Sequence, residues 1–201
     1  LLAKYLLDWG FRRSVIDTCL FTFARGADGR ATKAKANEEL IVIVWVDDLI
    51  IADNNRTLRN QFVNEINSKF PVDDKGDLHW ILGMRVVRDA TTRTLSMSQE
   101  LYIKDVLTKH AMHLESTSRH FDSPMSDDAK FSADQCPSEG SPEWEAMKDK
   151  KDAYMTLVGA MLWLSACTRP DLTHSASVLA RFVSNPAPVH FQAMQRVLAY
   201  L

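Results

Sequence analysis

Residues 40–54 read Leu40-Ile41-Val42-Ile43-Val44-Trp45-Val46, then Asp47-Asp48, then Leu49-Ile50-Ile51-Ala52-Asp53-Asn54. Two apolar runs rich in β-branched residues enclose adjacent carboxylates with room only for a tight turn, the pattern of a buried β-hairpin. Both acids are expected at its tip. A carboxylate bordering so apolar a hairpin costs solvation free energy unless it is exposed, paired or bound to a cation. Divalent-metal chemistry is therefore the first functional reading, and plain turn chemistry, for which Asp is favoured in its own right, is the second. The hairpin alone leaves both open.

The chain has 201 residues, 46% of them hydrophobic and 25% charged, enough for one large domain or two small ones around a real core. It begins at Leu1 in the middle of an amphipathic pattern, so we expect it to be part of something longer. No apolar run approaches the roughly 20 residues a membrane helix needs, and no charged-then-apolar leader is visible, so the expected setting is intracellular with no membrane partner. Cys19, Cys136 and Cys167 are odd in number and widely spaced, which fits neither a disulfide framework nor a zinc site. The net charge of −2 supplies no global attraction to nucleic acid, so any such binding must come from local groups such as Arg12, Arg13 or Arg196.

Outward from the hairpin, Leu2, Tyr5, Leu6 and Trp9 recur at helical spacing, with Gly10 placed to end the helix. A strand is expected over residues 18–24 and a variable connection up to Glu39. Beyond the hairpin, Asn54 or Asn55 caps a helix whose Leu58, Phe62, Ile66 and Phe70 fall four apart, with one face on the sheet. Residues 79–88 read as one strand with Gly83 in its middle, where a glycine permits close backbone approach. Residues 94–98 form its half-exposed partner. A helix follows from Gln99, ending near His110 and His113, whose spacing suits a solvated helix end rather than a metal site. Residues 114–151 lose their apolar pattern and read as a linker or irregular segment. Three helices follow, broken at Pro170 and at Asn185-Pro186. The fold class expected is α+β: an antiparallel sheet with packed helices over residues 1–113, then a helical region over 152–201.

Nucleotidyl transfer by two metals needs carboxylates that hold both ions, one lowering the pKa of the attacking hydroxyl and the other neutralising the leaving pyrophosphate. Neighbouring side chains on a strand diverge to opposite faces, so Asp47 and Asp48 make only part of such a cage and a third acid from another strand is expected. Asp8 lies on the first helix beside Trp9, and Asp17 precedes a strand without the Phe-containing helix start that usually follows a polymerase's first acid, so neither sits in a fitting context.

The chain resembles the carboxyl-terminal half of the reverse transcriptase of copia-type LTR retrotransposons. Val46-Asp47-Asp48 preceded by an aromatic resembles that family's active-site box, with Trp45 where Tyr is usual. Gly10-Phe11 through Asp17 to Phe21, Lys69-Phe70 with Gly76-Asp77-Leu78, and Trp80-Ile81-Leu82-Gly83-Met84 are similar to successive family stretches, the last of them to its primer grip. Leu95 to Gln99, Ser123-Pro124-Met125, and the run from Tyr154 through Thr168-Arg169-Pro170-Asp171 to Tyr200-Leu201 continue the match in order.

That resemblance implies a partial polymerase palm followed by a helical thumb-like or connection-like region. Asp47 and Asp48 would be the catalytic, Mg²⁺-binding pair, with Asp47 the more direct ligand, and Trp45 would flank the primer end. Trp80, Leu82 and Gly83 would form the primer grip. The family's first catalytic acid, fingers and template-binding strands would precede Leu1. Family members often carry a Lys where this chain has Asp73, which makes Lys75 or Lys69 the substitute general acid. The implied partners are an RNA template, a DNA primer, dNTPs and the rest of a Pol polyprotein, including integrase, which carries DNA integration, and RNase H. Two other classes compete: a catalytically inactive, transposon-derived binding or interaction module, and another palm-like enzyme such as a nucleotidyl cyclase.

Overall fold

The computed structural model describes residues 1–26, 38–110 and 121–201. Most of the connection expected before Glu39, together with the helix end at His113, lies outside the described residues. The fold is α+β, with antiparallel sheets and packed helices. The chain divides into two compact units, Leu1–Leu78 and His79–Leu201. No helix among the described residues is long and apolar enough to cross a membrane.

In the first unit, helix α1 (Leu2–Trp9) ends at Gly10, whose φ of 109° is open to glycine at little cost and whose N–H donates to the Leu6 and Leu7 carbonyls. Strands β1 (Arg12–Arg13), β2 (Leu20–Arg25), β3 (Glu38–Trp45) and β4 (Asp48–Asp53) form one antiparallel sheet in that order. Helix α2 (Arg56–Lys69) starts at Asn55, whose side chain accepts the Leu58 N–H at 3.0 Å. The other candidate cap, Asn54, is instead used to accept the Glu39 N–H at 2.7 Å. Leu58, Phe62 and Ile66, spaced one helical turn apart, are buried with Leu6, Phe11, Phe21, Leu40 and Val42. Trp9, Phe11, Phe23 and Phe62 meet edge-to-face or tilted at ring separations of 4.8–5.7 Å, a geometry aromatic quadrupoles favour.

In the second unit, β5 (Trp80–Ile81), β6 (Met84–Asp89) and β7 (Thr94–Ser98) form a three-stranded antiparallel sheet. The single strand expected over residues 79–88 is therefore a hairpin. Ile81 pairs with Met84, and Leu82 and Gly83 turn the chain at φ 49° and 76°. Positive φ at both central residues is the signature of a type I′ turn, so Gly83 serves the turn. A Cβ there would meet nothing within 4 Å, so no other backbone among the described residues makes the close approach expected.

Helices α3 (Glu100–Lys109), α4 (Pro142–Lys148), α5 (Lys151–Cys167), α6 (Thr173–Ala180) and α7 (Pro188–Tyr200) follow, with short 3₁₀ turns at Ala133–Gln135 and Pro170–Leu172. Val106 and Met147 are buried with Tyr154, Leu157, Met161, Leu164, Leu172, Leu179, Met194 and Val197, and Met125 and Phe131 pack against that cluster. This explains why the units divide after Leu78, whereas the sequence places the break after His113. A few apolar residues in a polar stretch suffice to anchor it: Met147 lies on α4, which Ser141 caps by accepting the Trp144 N–H at 3.2 Å. The Thr168-Arg169-Pro170-Asp171 stretch is a staple. Arg169 pairs with Asp171 at 2.7 Å and lies over the Tyr200 ring, while the Tyr200 hydroxyl donates to Asp171 at 2.9 Å.

His190 is fully buried, stacked on Phe182 at 3.8 Å, and its Nδ1 accepts the Ala187 N–H at 2.9 Å. Burial pulls its pKa below the ordinary histidine value. The unfolded chain then takes up this proton first, so the contribution is complete above about pH 6.5 and is lost as pH falls below that value and through the lower folded-state pKa, by at most about 1.4 kcal/mol per pH unit. Melting temperatures at descending pH should show this loss, and His190→Gln, which keeps an acceptor but does not titrate, should flatten it.

Candidate active site

Strand pairing sets the geometry of the acid tip. Trp45 pairs with Asp48, so the two residues between them, Val46 and Asp47, make the turn. The turn thus sits one residue earlier than the Asp47-Asp48 turn expected from sequence. Val46 carries φ 50°. Positive φ at only the first central residue fits a type II′ turn, which glycine normally occupies, and a β-branched side chain there is strained. That penalty is why the sequence does not advertise Val46 as a turn residue, although the aromatic-x-acid-acid spacing marks the place.

Val46→Gly should relieve the strain, about 1–2 kcal/mol for an L-residue in the left-handed region, against about 0.5–1 kcal/mol of added chain entropy in the unfolded state. The expected result is a urea midpoint that stays level or rises. A clear fall would show that Val46 makes contacts worth more than its strain.

The sheet's two faces differ. Phe21, Phe23, Leu40, Val42, Val44, Leu49 and Ile51 face α1 and α2, forming or packing on the buried core. The other face carries Thr22, Ile41, Ile43, Ile50, Trp45 and Asp48, as the register of directly paired residues requires. It is an open face: Ile41 is exposed, Trp45 is 50% exposed and Val46 is 83% exposed. The hairpin is therefore buried on one side only, and Trp45 is not a core aromatic. Asp47 and Asp48 are both exposed, so neither pays the desolvation cost of an apolar setting.

No hydrogen bond or ion pair among the described residues joins Lys69 or Lys75 to either acid. Lys75 pairs with Asp73, which raises its pKa and makes its ammonium a weaker proton donor. Lys69 lies in the last turn of α2, where a cation complements the helix dipole. Asp74 accepts the Gly76 N–H at 2.9 Å and pairs with Arg59 at 3.0 Å, which together lower its pKa and fix the loop after α2. In the second unit, Trp80 is half-exposed and pairs with Arg85, while Leu82 and Gly83 form the adjoining turn.

A hard divalent cation takes six or more oxygen ligands, several of them protein carboxylates when binding is tight. Among the described residues no three His, Cys, Asp or Glu side chains converge on a common point. Among the described residues Asp47 and Asp48 therefore do not by themselves fit a self-sufficient two-ion centre.

Across its full length the chain is 32% identical to the retrovirus-related Pol polyprotein from transposon RE1 and 30% identical to that from transposon RE2, both of Arabidopsis thaliana. It is 32% identical over 165 residues, 82% of the chain, to the retrovirus-related Pol polyprotein from transposon TNT 1-94 of Nicotiana tabacum. It spans 12% of the length of each. No solved structure matches the chain. The order of motifs, the acid-tipped hairpin and these relatives agree with the family model that residues 2–120 match, and on that match the chain belongs to the reverse transcriptase (RNA-dependent DNA polymerase) family.

Proposed function

We propose that the chain contributes the acid-bearing half of a nucleotidyl-transfer centre, in which a primer 3′ hydroxyl is extended with deoxynucleotides along an RNA template. The observation that carries this reading is the pair Asp47 and Asp48 held, exposed, at the end of an open sheet face in a reverse transcriptase chain. Asp47 and Asp48 are the catalytic carboxylates, and Trp45, beside them on the open face, borders the primer end. The first unit is a palm portion. Trp80, Leu82 and Gly83 act as the primer grip, where a half-exposed indole offers a stacking surface. The helices after residue 151 are thumb-like or connection-like.

The donor set requires a further carboxylate, which we place outside residues 1–201 in the same Pol polyprotein. Strand β4, which ends the sheet next to the acids, offers an edge for the strand that would carry it. Mg²⁺ is the cation such an oxygen set suits. Given its ion pair with Asp73, Lys75 is the weaker candidate for the proton donor to pyrophosphate, and Lys69 the alternative.

One observation favours a second reading, a non-catalytic nucleic-acid-binding module: the two-carboxylate donor set itself. The test that separates them is incorporation of labelled dNTP on an RNA template by a polypeptide joining this chain to the preceding segment of a Pol polyprotein. Polymerase function predicts template-directed incorporation. Binding without incorporation supports the module.

A further inference from the structure

We propose that the loop between β1 and β2, residues 14–19, is a nucleic-acid contact beside the acid tip, with Val15 and Ile16 packing on the sugars or base edges of a primer–template and Arg12 holding a phosphate. The inference rests on the polymerase reading and adds to it an element on the far side of β3 from β4.

Val15 and Ile16 are each 96% exposed. Covering such side chains removes apolar surface from water, so a surface that covered both would gain affinity. The loop is held in place rather than left to collapse over them. Ser14 Oγ accepts the N–H groups of Ile16 and Asp17, each at 3.2 Å, and Asp17 Oδ1 accepts the Cys19 N–H at 2.8 Å. Arg13 Nε donates to the Thr18 carbonyl at 2.6 Å, and the Ser14 N–H donates to the Leu20 carbonyl at 2.8 Å. The two aliphatic side chains are thus presented outward on a braced turn.

Its location follows from strand register. Leu20 pairs with Ile43, and the Val44 N–H donates to the Cys19 carbonyl at 2.9 Å. The loop before Leu20 therefore emerges at the end of the sheet where β3 reaches Trp45 and the acids. Neighbouring strands are about 4.8 Å apart, which places the loop's base one strand spacing from Trp45 and two from Asp48.

The charge beside it is of the right sign. Arg12 pairs with Thr22, and Thr22 with Ile41, so Arg12 shares the open face with Trp45 and Asp48. Among the described residues Arg12 makes no ion pair. Arg13, on the other face, is already engaged by the Thr18 carbonyl and the Phe21 ring. An apolar wedge next to an unengaged guanidinium suits nucleic acid, whose phosphates take arginine and whose sugars and base edges take aliphatic groups. A protein partner would need a carboxylate placed opposite Arg12 as well as cover for the apolar pair, whereas nucleic acid carries phosphate beside its sugars along its whole length.

Fluorescence anisotropy of a labelled RNA–DNA primer–template titrated with the 201-residue chain tests this. Val15→Ser/Ile16→Ser should weaken binding about tenfold with the salt dependence unchanged. Arg12→Gln should lower the slope of log affinity against log salt by about 0.9 or somewhat less, the loss of one phosphate contact. All three side chains are exposed, so unchanged melting temperatures should accompany both results. Wild-type affinity and slope in both variants would overturn the loop's role and leave the polymerase reading standing. No binding by the wild-type chain even at low salt would likewise overturn the loop's role, while the polymerase reading is decided separately by incorporation in the joined polypeptide. If the double variant instead loses self-association seen by light scattering while binding nucleic acid normally, the loop's occupant is a second protein chain and the inference fails.

Discussion

Phe62→Ala should unfold the first unit or bring it to the edge of unfolding. The ring is fully buried, edge-on to Trp9 at 5.2 Å and tilted against Phe11 at 5.1 Å, and it joins α2 to both α1 and the sheet. Truncation removes the transfer free energy and leaves a cavity whose walls are aromatic rings and strand residues with little freedom to close in, a loss of about 3–5 kcal/mol. A domain's whole stability is about 5–15 kcal/mol, and 78 residues lie toward the small end of what folds alone. Urea unfolding followed by near-ultraviolet signals should show the Trp9 environment lost at much lower denaturant. Phe62→Leu, which refills most of the space, should recover the greater part. A loss below about 1 kcal/mol for Phe62→Ala would mean the aromatic cluster is not what fastens α2 to the sheet.

Asp47→Asn, made in a polypeptide that joins this chain to the preceding Pol segment, should reduce primer extension by at least a hundredfold while leaving the melting temperature within about a degree. Asn matches Asp in size and turn preference, so the Val46-Asp47 turn is kept. What disappears is a negative charge at the end of the open face. Preorganised charge at a reacting centre is worth about 3–4 kcal/mol per group when removed, hence the size of the effect. Because Asp47 is exposed and free of hydrogen bonds or ion pairs among the described residues, a structural role predicts no such loss. Retained extension would refute its assignment as a catalytic carboxylate.

The features most legible in the sequence were those fixed by local periodicity. The four-residue spacing of Leu58, Phe62 and Ile66 identifies α2 and its buried face, and the β-branched runs on either side of the acids identify the hairpin. Gly10 and Pro170 mark their breaks because each has a backbone requirement of its own. Less legible was whatever depends on a residue acting against its preference or on distant contacts. Val46 takes a positive φ that its side chain disfavours, so the acid turn reads one residue late. Leu82 does the same before Gly83, so a hairpin reads as one strand. Helix α4 is short and polar, with Met147 as its one buried residue, and tertiary packing, which no local pattern encodes, draws α3 into the helical core. At the site, the aromatic and the acids are readable as a string. The openness of their sheet face and the bracing of residues 14–19 follow from register, which only the folded sheet supplies.

We propose above all that Asp47 and Asp48 are functional carboxylates of a centre that the described residues do not complete. Primer extension on an RNA template measures it directly, comparing the 201-residue chain alone with the same chain joined to the preceding Pol segment across a range of Mg²⁺. The chain alone should give no extension at any Mg²⁺ concentration, and the joined polypeptide should give template-directed extension. Extension by the isolated chain, lost on Asp47→Asn, would contradict the incomplete donor set; a joined polypeptide that folds and binds primer–template but never extends it would contradict the polymerase function.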